Sequence, residues 1–299
     1  MKWKRNTGFD QIEDRRGQGG GGASFGFPSG GSGSAIPIPI PGKAGGGLGG
    51  IIVIVVLFLL FSGVLGGSGS IPGMGGLSGG GAVEPGGTLD PQSDTDQQLA
   101  YIVDNIQNFW ATTFRDSNRQ YTKTKLVLFQ DATQSDCGPA SAATGPFYCP
   151  ADQKVYLDLG FMDELKSRFG AKGGDFAMAY VVAHEFGHHV QTQLGISDQV
   201  QQMAQQDPSR RNDLSVRQEL QADCLAGVWA HSDQQDIEPG DIEEGLSAAA
   251  AVGDDRIQQS TTGQINPETW THGSAEQRTA WFNRGFKNGS TNDCDTFAQ

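Results

Sequence analysis

The 299-residue chain has no histidine before His184, no charged residue between Ala44 and Val83, no Lys or Arg between Lys43 and Arg115, and no Cys-x-x-Cys pair. The missing Cys-x-x-Cys spacing argues against a structural zinc site built on thiolates. No repeat of 20–50 residues is visible, so a solenoid is not indicated. Basic residues are scarce overall, 21 Lys and Arg against 34 Asp and Glu, for a net charge of −13. Residues 1–50 hold six basic and three acidic groups (+3), which leaves 15 against 31 (−16) for residues 51–299. A surface of that sign repels polyanions and excludes nucleic acid as an expected partner.

Glycine is abundant and unevenly placed, with 28 of 44 in the first 100 residues. Segments 17–50 and 66–97 are too poor in buriable apolar side chains to offset chain entropy and read as linkers. Between them Leu48 to Leu65 forms an uncharged apolar run of 18 residues, near the lower limit for crossing a hydrocarbon core of ~30 Å. Both flanks are glycine linker, so no core is at hand to bury such a helix, and the run starts too far in for a cleaved signal peptide. Lys2, Lys4, Arg5, Arg15, Arg16 and Lys43 all precede the run. The positive-inside rule therefore predicts a single-pass inner-membrane protein with its amino terminus in the cytoplasm. The expected division is a low-complexity cytoplasmic segment 1–47, a membrane span 48–66, a linker 67–97 and an extracytoplasmic folded domain 98–299, long enough for one core.

All five histidines lie in the last 116 residues, and His184-Glu185-Phe186-Gly187-His188 sits inside an apolar helical pattern. Histidines four apart lie one turn apart on one helix face and can aim two imidazole nitrogens at one ion, with Glu185 beside them. Catalytic zinc needs three protein ligands and an open position, and a His/His/Glu set is one known solution. Glu219, 31 residues after His188, is the candidate third ligand. Asp223 follows one turn later, placed to orient a ligand from behind. Gly187 costs roughly 1 kcal/mol against alanine inside a helix, and its missing side chain suits close approach of the Glu219 helix.

Five blocks in this order, EDRRG at 13–17, GPFYCPAD at 145–152, HEFGHHVQ at 184–191, RQELQADCLAGVWA at 217–230 and THGSAEQR at 271–278, resemble the bacterial neutral zinc metallopeptidases, membrane-anchored relatives of the gluzincins. The resemblance covers nearly the whole chain. It implies a zincin-like α+β fold, Zn2+ held by His184, His188 and Glu219, Glu185 as general base, Asp223 behind the ligands, and a polypeptide substrate. The zinc-bound water would be activated by Glu185. His272, ahead of a capped helix, is a candidate oxyanion stabiliser, with Tyr148 a weaker one. His189 points about 100° away from its ligand neighbour and reads as structural. His231, at a helix end, reads as a favourable charge on the helix dipole. Two other function classes fit the same residues, a catalytically silent zinc-binding membrane scaffold or chaperone and a non-peptidase zinc hydrolase. The intact Glu185 argues against the scaffold.

Cys137, Cys149, Cys224 and Cys294 all fall in the part expected outside, where disulfides form, with three connectivities open. Cys137–Cys149 is the local choice, worth about 3 kcal/mol by chain entropy, and leaves Cys224 with Cys294 unless Cys224 is a buried free thiol. Periodicity predicts helices from Asp96 to about Arg115, over 161–169 and over Asp175–Leu194 with Gly195 as a left-handed cap, and strands at 125–130 and 155–158. Three capping boxes, at Ser215, Asp241 and Ser274, open helices to about His231, over 242–258 and over 275–287. The strand at 155–158 is the expected edge for an extended substrate. The architecture is helix-rich α+β with a small β-sheet beside the metal helix.

Overall fold

The computed structural model describes residues 1–5, 7–17 and 88–298. The expected membrane span 48–66 and most of both linkers lie outside the described residues. Among those described, no helix is long and apolar enough to cross a membrane.

The described residues form helix-rich α+β structure, with eight α-helices and six strands. Helix α1, Asp94–Asp116, opens where Ser93 accepts a hydrogen bond from the Asp96 N–H, and it buries Leu99, Ile102, Val103, Ile106 and Trp110 on one face. Strands β2, Leu126–Phe129, and β6, Lys154–Asp158, pair in parallel, and β5, Phe147–Cys149, adds antiparallel to β6. Alternation along these strands covers both faces. Leu126, Leu128, Val155, Leu157 and Tyr148 face the helical core, while Val127, Phe129, Tyr156, Phe147 and Cys149 make a second small cluster with Ala140. Ala140 comes from the hairpin of β3, Ala132–Ser135, and β4, Gly138–Ser141. The Cys137–Cys149 disulfide joins that hairpin to β5.

The fourth strand of the sheet comes from the amino terminus. Strand β1, Ile12–Asp14, pairs in parallel with β2, giving the order β1-β2-β6-β5. The boundary expected from composition, with residues 1–47 apart from a domain beginning at 98, is thus corrected at its ends, because residues 1–17 and 88–97 pack into the folded unit. Asp14 is 5% exposed and Asp96 2% exposed, and Arg16 bridges the two carboxylates with paired hydrogen bonds to each at 2.7–2.9 Å. Burial raises the Asp14 carboxyl, but the hydrogen bonds and charge of Arg16 outweigh it and hold the group below its ordinary value.

Seven further helices follow among the described residues, with instructive differences from the sequence's signals. Helix α2 spans Gly160–Ser167, and α3, Asp175–Gln193, ends before the left-handed Gly195 as expected. Helix α4, Ile196–Gln206, went unread because its apolar face holds few residues, Val200 and Ala204 being the buried ones. Helix α5, Arg211–Ser232, starts four residues before the Ser215 box, since the Asp207-capped turn at Pro208–Arg210 runs straight into it, and the Ser215 hydroxyl donates instead to the Thr271 carbonyl at 2.9 Å. The single helix expected at 242–258 is two, α6, Asp241–Ala251, and α7, Asp254–Thr261. They break at Gly253, where a Cβ would lie 2.3 Å from the Ala275 nitrogen. The Ser274–Gln277 box is present and opens α8, Ala275–Asn288.

Helices α5 and α8 pack with almost no side-chain layer between them. A Cβ on Gly227 would fall 2.1 Å from the Phe282 carbonyl oxygen and one on Gly285 2.0 Å from that of Cys224. The Cys224–Cys294 disulfide then ties α5 to the turn Thr291–Cys294 beyond α8.

Two outcomes follow for stability. Arg16→Ala leaves two buried carboxylates without their shared cation and is expected to lower unfolding free energy by about 2–4 kcal/mol, toward the lower side of the range for breaking a buried pair because the guanidinium keeps some exposure. A denaturant midpoint equal to the parent's would contradict this. Gly285→Ala overpacks the α5–α8 contact and should cost about 1–3 kcal/mol, read in the same titration.

Candidate metal centre

Helix α3 is apolar enough to be buried nearly all round, and that burial brings His184, Glu185 and His188 to the floor of an open pocket. Gly187 faces α5, where an added Cβ would sit 3.1 Å from the Ala222 backbone, so the close approach expected of that glycine is present. The approach delivers Glu219. His184 Nε2 lies 3.1 Å from Glu219 Oε2, and His188 Nε2 lies 3.4 Å from Glu219 Oε1. One donor atom from each of the three residues falls within 4.8 Å of the others. An ion held tetrahedrally at 2.0–2.2 Å spaces its ligand atoms about 3.3–3.6 Å apart, so the donor set fits zinc in chemistry and the two Glu219–histidine separations lie near that spacing.

Electrostatics points the same way. Burial depresses a histidine's basicity, yet Asp223 and Glu219 overcome it and push His184 up to about 10. Burial likewise raises Glu219, but the facing histidines outweigh it and hold its carboxyl well below the usual range. Two ionised carboxylates converging on these imidazoles make a site that demands positive charge.

Behind the donors stands a second layer of contacts. Asp223 Oδ1 accepts from His184 Nδ1 at 2.8 Å and from the Tyr180 hydroxyl at 2.6 Å, while Arg278 donates through Nε to Oδ2 at 2.8 Å and through Nη2 to Oδ1 at 3.0 Å. Burial opposes the charge on Asp223, but Arg278 and His184 bring its carboxyl down to about 2. Fixing Nδ1 as donor leaves Nε2 as the lone-pair nitrogen on the donor side. His188 is held by its own helix, Nδ1 donating to Gln191 Oε1 at 2.8 Å. Gln191 in turn donates to the Gln218 carbonyl and to Gln221 Oε1, and Gln221 to the Cys294 carbonyl.

Glu185 also faces the pocket, and burial raises its carboxyl against the pull of His184 and His188. His272 lies on the wall of the same pocket, its Nδ1 3.1 Å from Asp254 Oδ1. Asp254 also accepts backbone N–H bonds from Thr271, His272 and Gly273, so the ring is set on a rigid cradle. Tyr148 also lines the pocket, and its hydroxyl lies 3.0 Å from His189 Nδ1. His189 is fully buried between Tyr148 and the Thr122 carbonyl, a structural placement. His231 bonds the Phe286 carbonyl at 2.7 Å, away from the pocket. The strand at 155–158 is no edge, since β6 has β2 on one side and β5 on the other; the outer strand beside the pocket is β5.

The sequence thus named the donors, Glu185, Asp223 and His272, and left Tyr180, Gln191, Asp254 and Arg278 without a role. Tyr180 was findable, four residues before His184 on the same helix face. Arg278 and Asp254 reach the site only through tertiary packing.

Comparison with known proteins agrees with this geometry. A family model described as "Putative neutral zinc metallopeptidase" matches residues 1–297. The chain is 48% identical to the uncharacterized protein YpfJ of Escherichia coli over 201 residues, 66% of this chain and 70% of that protein. It is 52% identical to the uncharacterized protein Rv2575 of Mycobacterium tuberculosis over 190 residues, 60% of this chain and 64% of that one. No solved structure gives a significant match.

The protein is expected to bind one zinc per chain, and His184→Ala with His188→Ala to abolish binding; metal analysis finding full zinc in that double variant would remove the site. Asp223→Asn keeps the shape but loses the charge that orients His184, and should weaken zinc affinity 10–100-fold in a chelator competition.

Proposed function

The chain belongs to the neutral zinc metallopeptidase family, and we propose that it is a zinc-dependent peptidase hydrolysing peptide bonds outside the cytoplasmic membrane. The reading is carried by one observation, that His184, His188 and Glu219 converge in the open pocket that Glu185 and His272 also line. Two disulfides support an oxidising, extracytoplasmic setting.

His184, His188 and Glu219 would hold the zinc, which when bound polarises a carbonyl and makes water a better nucleophile at neutral pH. Glu185 accepts the proton of the attacking water at its carboxylate and delivers it to the leaving amine nitrogen; a carboxyl raised by burial is better matched to both transfers. His272, held by Asp254, faces the developing oxyanion and in its cationic form stabilises that charge. An extended polypeptide lies along β5, the outer strand of the sheet beside the pocket.

Glu185→Gln should retain zinc and fold while cleavage of an unfolded protein substrate falls by at least about 10²-fold. Unchanged cleavage with zinc in place would show that another group is the base. Full function of this variant in cells would favour the scaffold alternative instead.

The His272 role has a pH signature. Burial lowers the basicity of this ring, but Asp254 and Glu219 reverse the effect and raise it above its ordinary value. The cation is present below that raised pKa and lost as pH rises through it, so activity should decline on the alkaline side. Asp254→Asn removes the raising partner and should move the alkaline limb of kcat/KM to lower pH. A limb that stays in place would take His272 out of the mechanism.

A further inference from the structure

Strand β1 lies before the apolar run at 48–66 in sequence, and the strand it pairs with lies after it. The contact is extensive. Ile12, Glu13 and Asp14 pair in register with Leu126, Val127 and Leu128, and the Arg15 N–H continues the ladder to the Leu128 carbonyl at 2.7 Å. Lys154 reaches Glu13 at 2.8 Å, Arg15 donates to the Gln134 carbonyl at 2.8 Å, and Met1 is buried at 5% exposure.

The domain also depends on this segment for polar satisfaction. Gln107, fully buried in α1, donates to Gln11 Oε1 at 2.6 Å, and Asp96, almost fully buried at the start of that helix, has Arg16 as its cation. Withdrawing residues 1–17 would leave an amide and a carboxylate short of partners inside the protein and expose the β2 edge.

A single crossing between residues 17 and 88 would place β1 and β2 on opposite faces of the bilayer, about 30 Å of hydrocarbon apart. No hydrogen-bonded ladder spans that distance. Exchange of β1 between copies does not help, since every copy would carry the same orientation. An 18-residue apolar run suffices for one crossing at about 1.5 Å per residue and is too short for the two that a return to the starting face requires.

We propose that residues 1–17 and residues 88–298 occupy the same side of the membrane, so that the amino-terminal strand is exported with the zinc domain. On this proposal the positive-inside bias does not set the topology, because two of the charges it counts are held within the fold rather than free on a flank. Arg15 and Arg16 are engaged by Glu13, Asp14 and Asp96 within the fold. The shared side stands on the sheet alone. Its assignment as the extracytoplasmic side rests on the proposed function.

The test uses the full chain in cells stripped of their wall and outer layers. The native cysteines are paired, so a single added cysteine is the one free thiol. Asp10→Cys and Gln205→Cys place it on exposed positions of the amino-terminal segment and of α4. Each variant is treated with a membrane-impermeant maleimide before and after lysis, with the parent chain as background. Labelling of both before lysis is the expected result. Protection of both until lysis would also support a shared side, while overturning the extracytoplasmic reading. Labelling of Gln205→Cys before lysis with Asp10→Cys reacting only afterwards would overturn the proposal.

Discussion

The carboxylate of Asp223, with no exposed surface, is where three helices meet. It accepts from Tyr180 and His184 on α3 and from Arg278 on α8, while it projects from α5. A buried ion is costly unless it is paired and its remaining lone pairs are used, and here all of that compensation arrives from neighbouring helices. The arrangement has a steric precondition. Gly187 lets α3 approach α5, and Gly227 with Gly285 brings α5 against α8, so three glycines set the spacing at which one carboxylate can reach all its partners.

The same logic explains why Glu219 and Asp223, one turn apart, do different work. Glu219 looks into the pocket and meets the open Nε2 atoms of two histidines, whereas Asp223 is sealed behind one of them. Helical periodicity puts both on one face, and the neighbouring helices decide which carboxylate is free to hold an ion. His272 and Asp254 repeat the pattern in the same pocket, a ring lining it and a carboxylate locking that ring.

Much of this was legible in sequence wherever a single helix carries the information. The metal helix, its glycine terminus, the Glu219 helix and the Ser274 box are local signals of period and capping, and they appear close to where they were read. Reading failed where tertiary contact decides. Three residues of strand in a charged tail become β1 because β2 offers an edge, the run at 242–258 breaks because Gly253 meets Ala275, and β6 loses its edge to a three-residue strand too short to announce itself. Arg278 was visible as a charge on a helix, and only the packing of α8 shows that the charge points inward.

The buried arginine has a consequence for the order in which the site can come into being. His184 and Arg278 are separated by 94 residues, and Cys294, whose carbonyl ends the Gln191–Gln221 chain behind His188, comes later still. As a chain is made or threaded from its amino end, both histidines, Glu185, Glu219 and Asp223 emerge before Arg278 and Cys294. A nascent chain at that stage carries the three metal donors, Glu185 and Asp223 but not Arg278, so the Asp223 carboxylate gains its buried cation only when α8 docks.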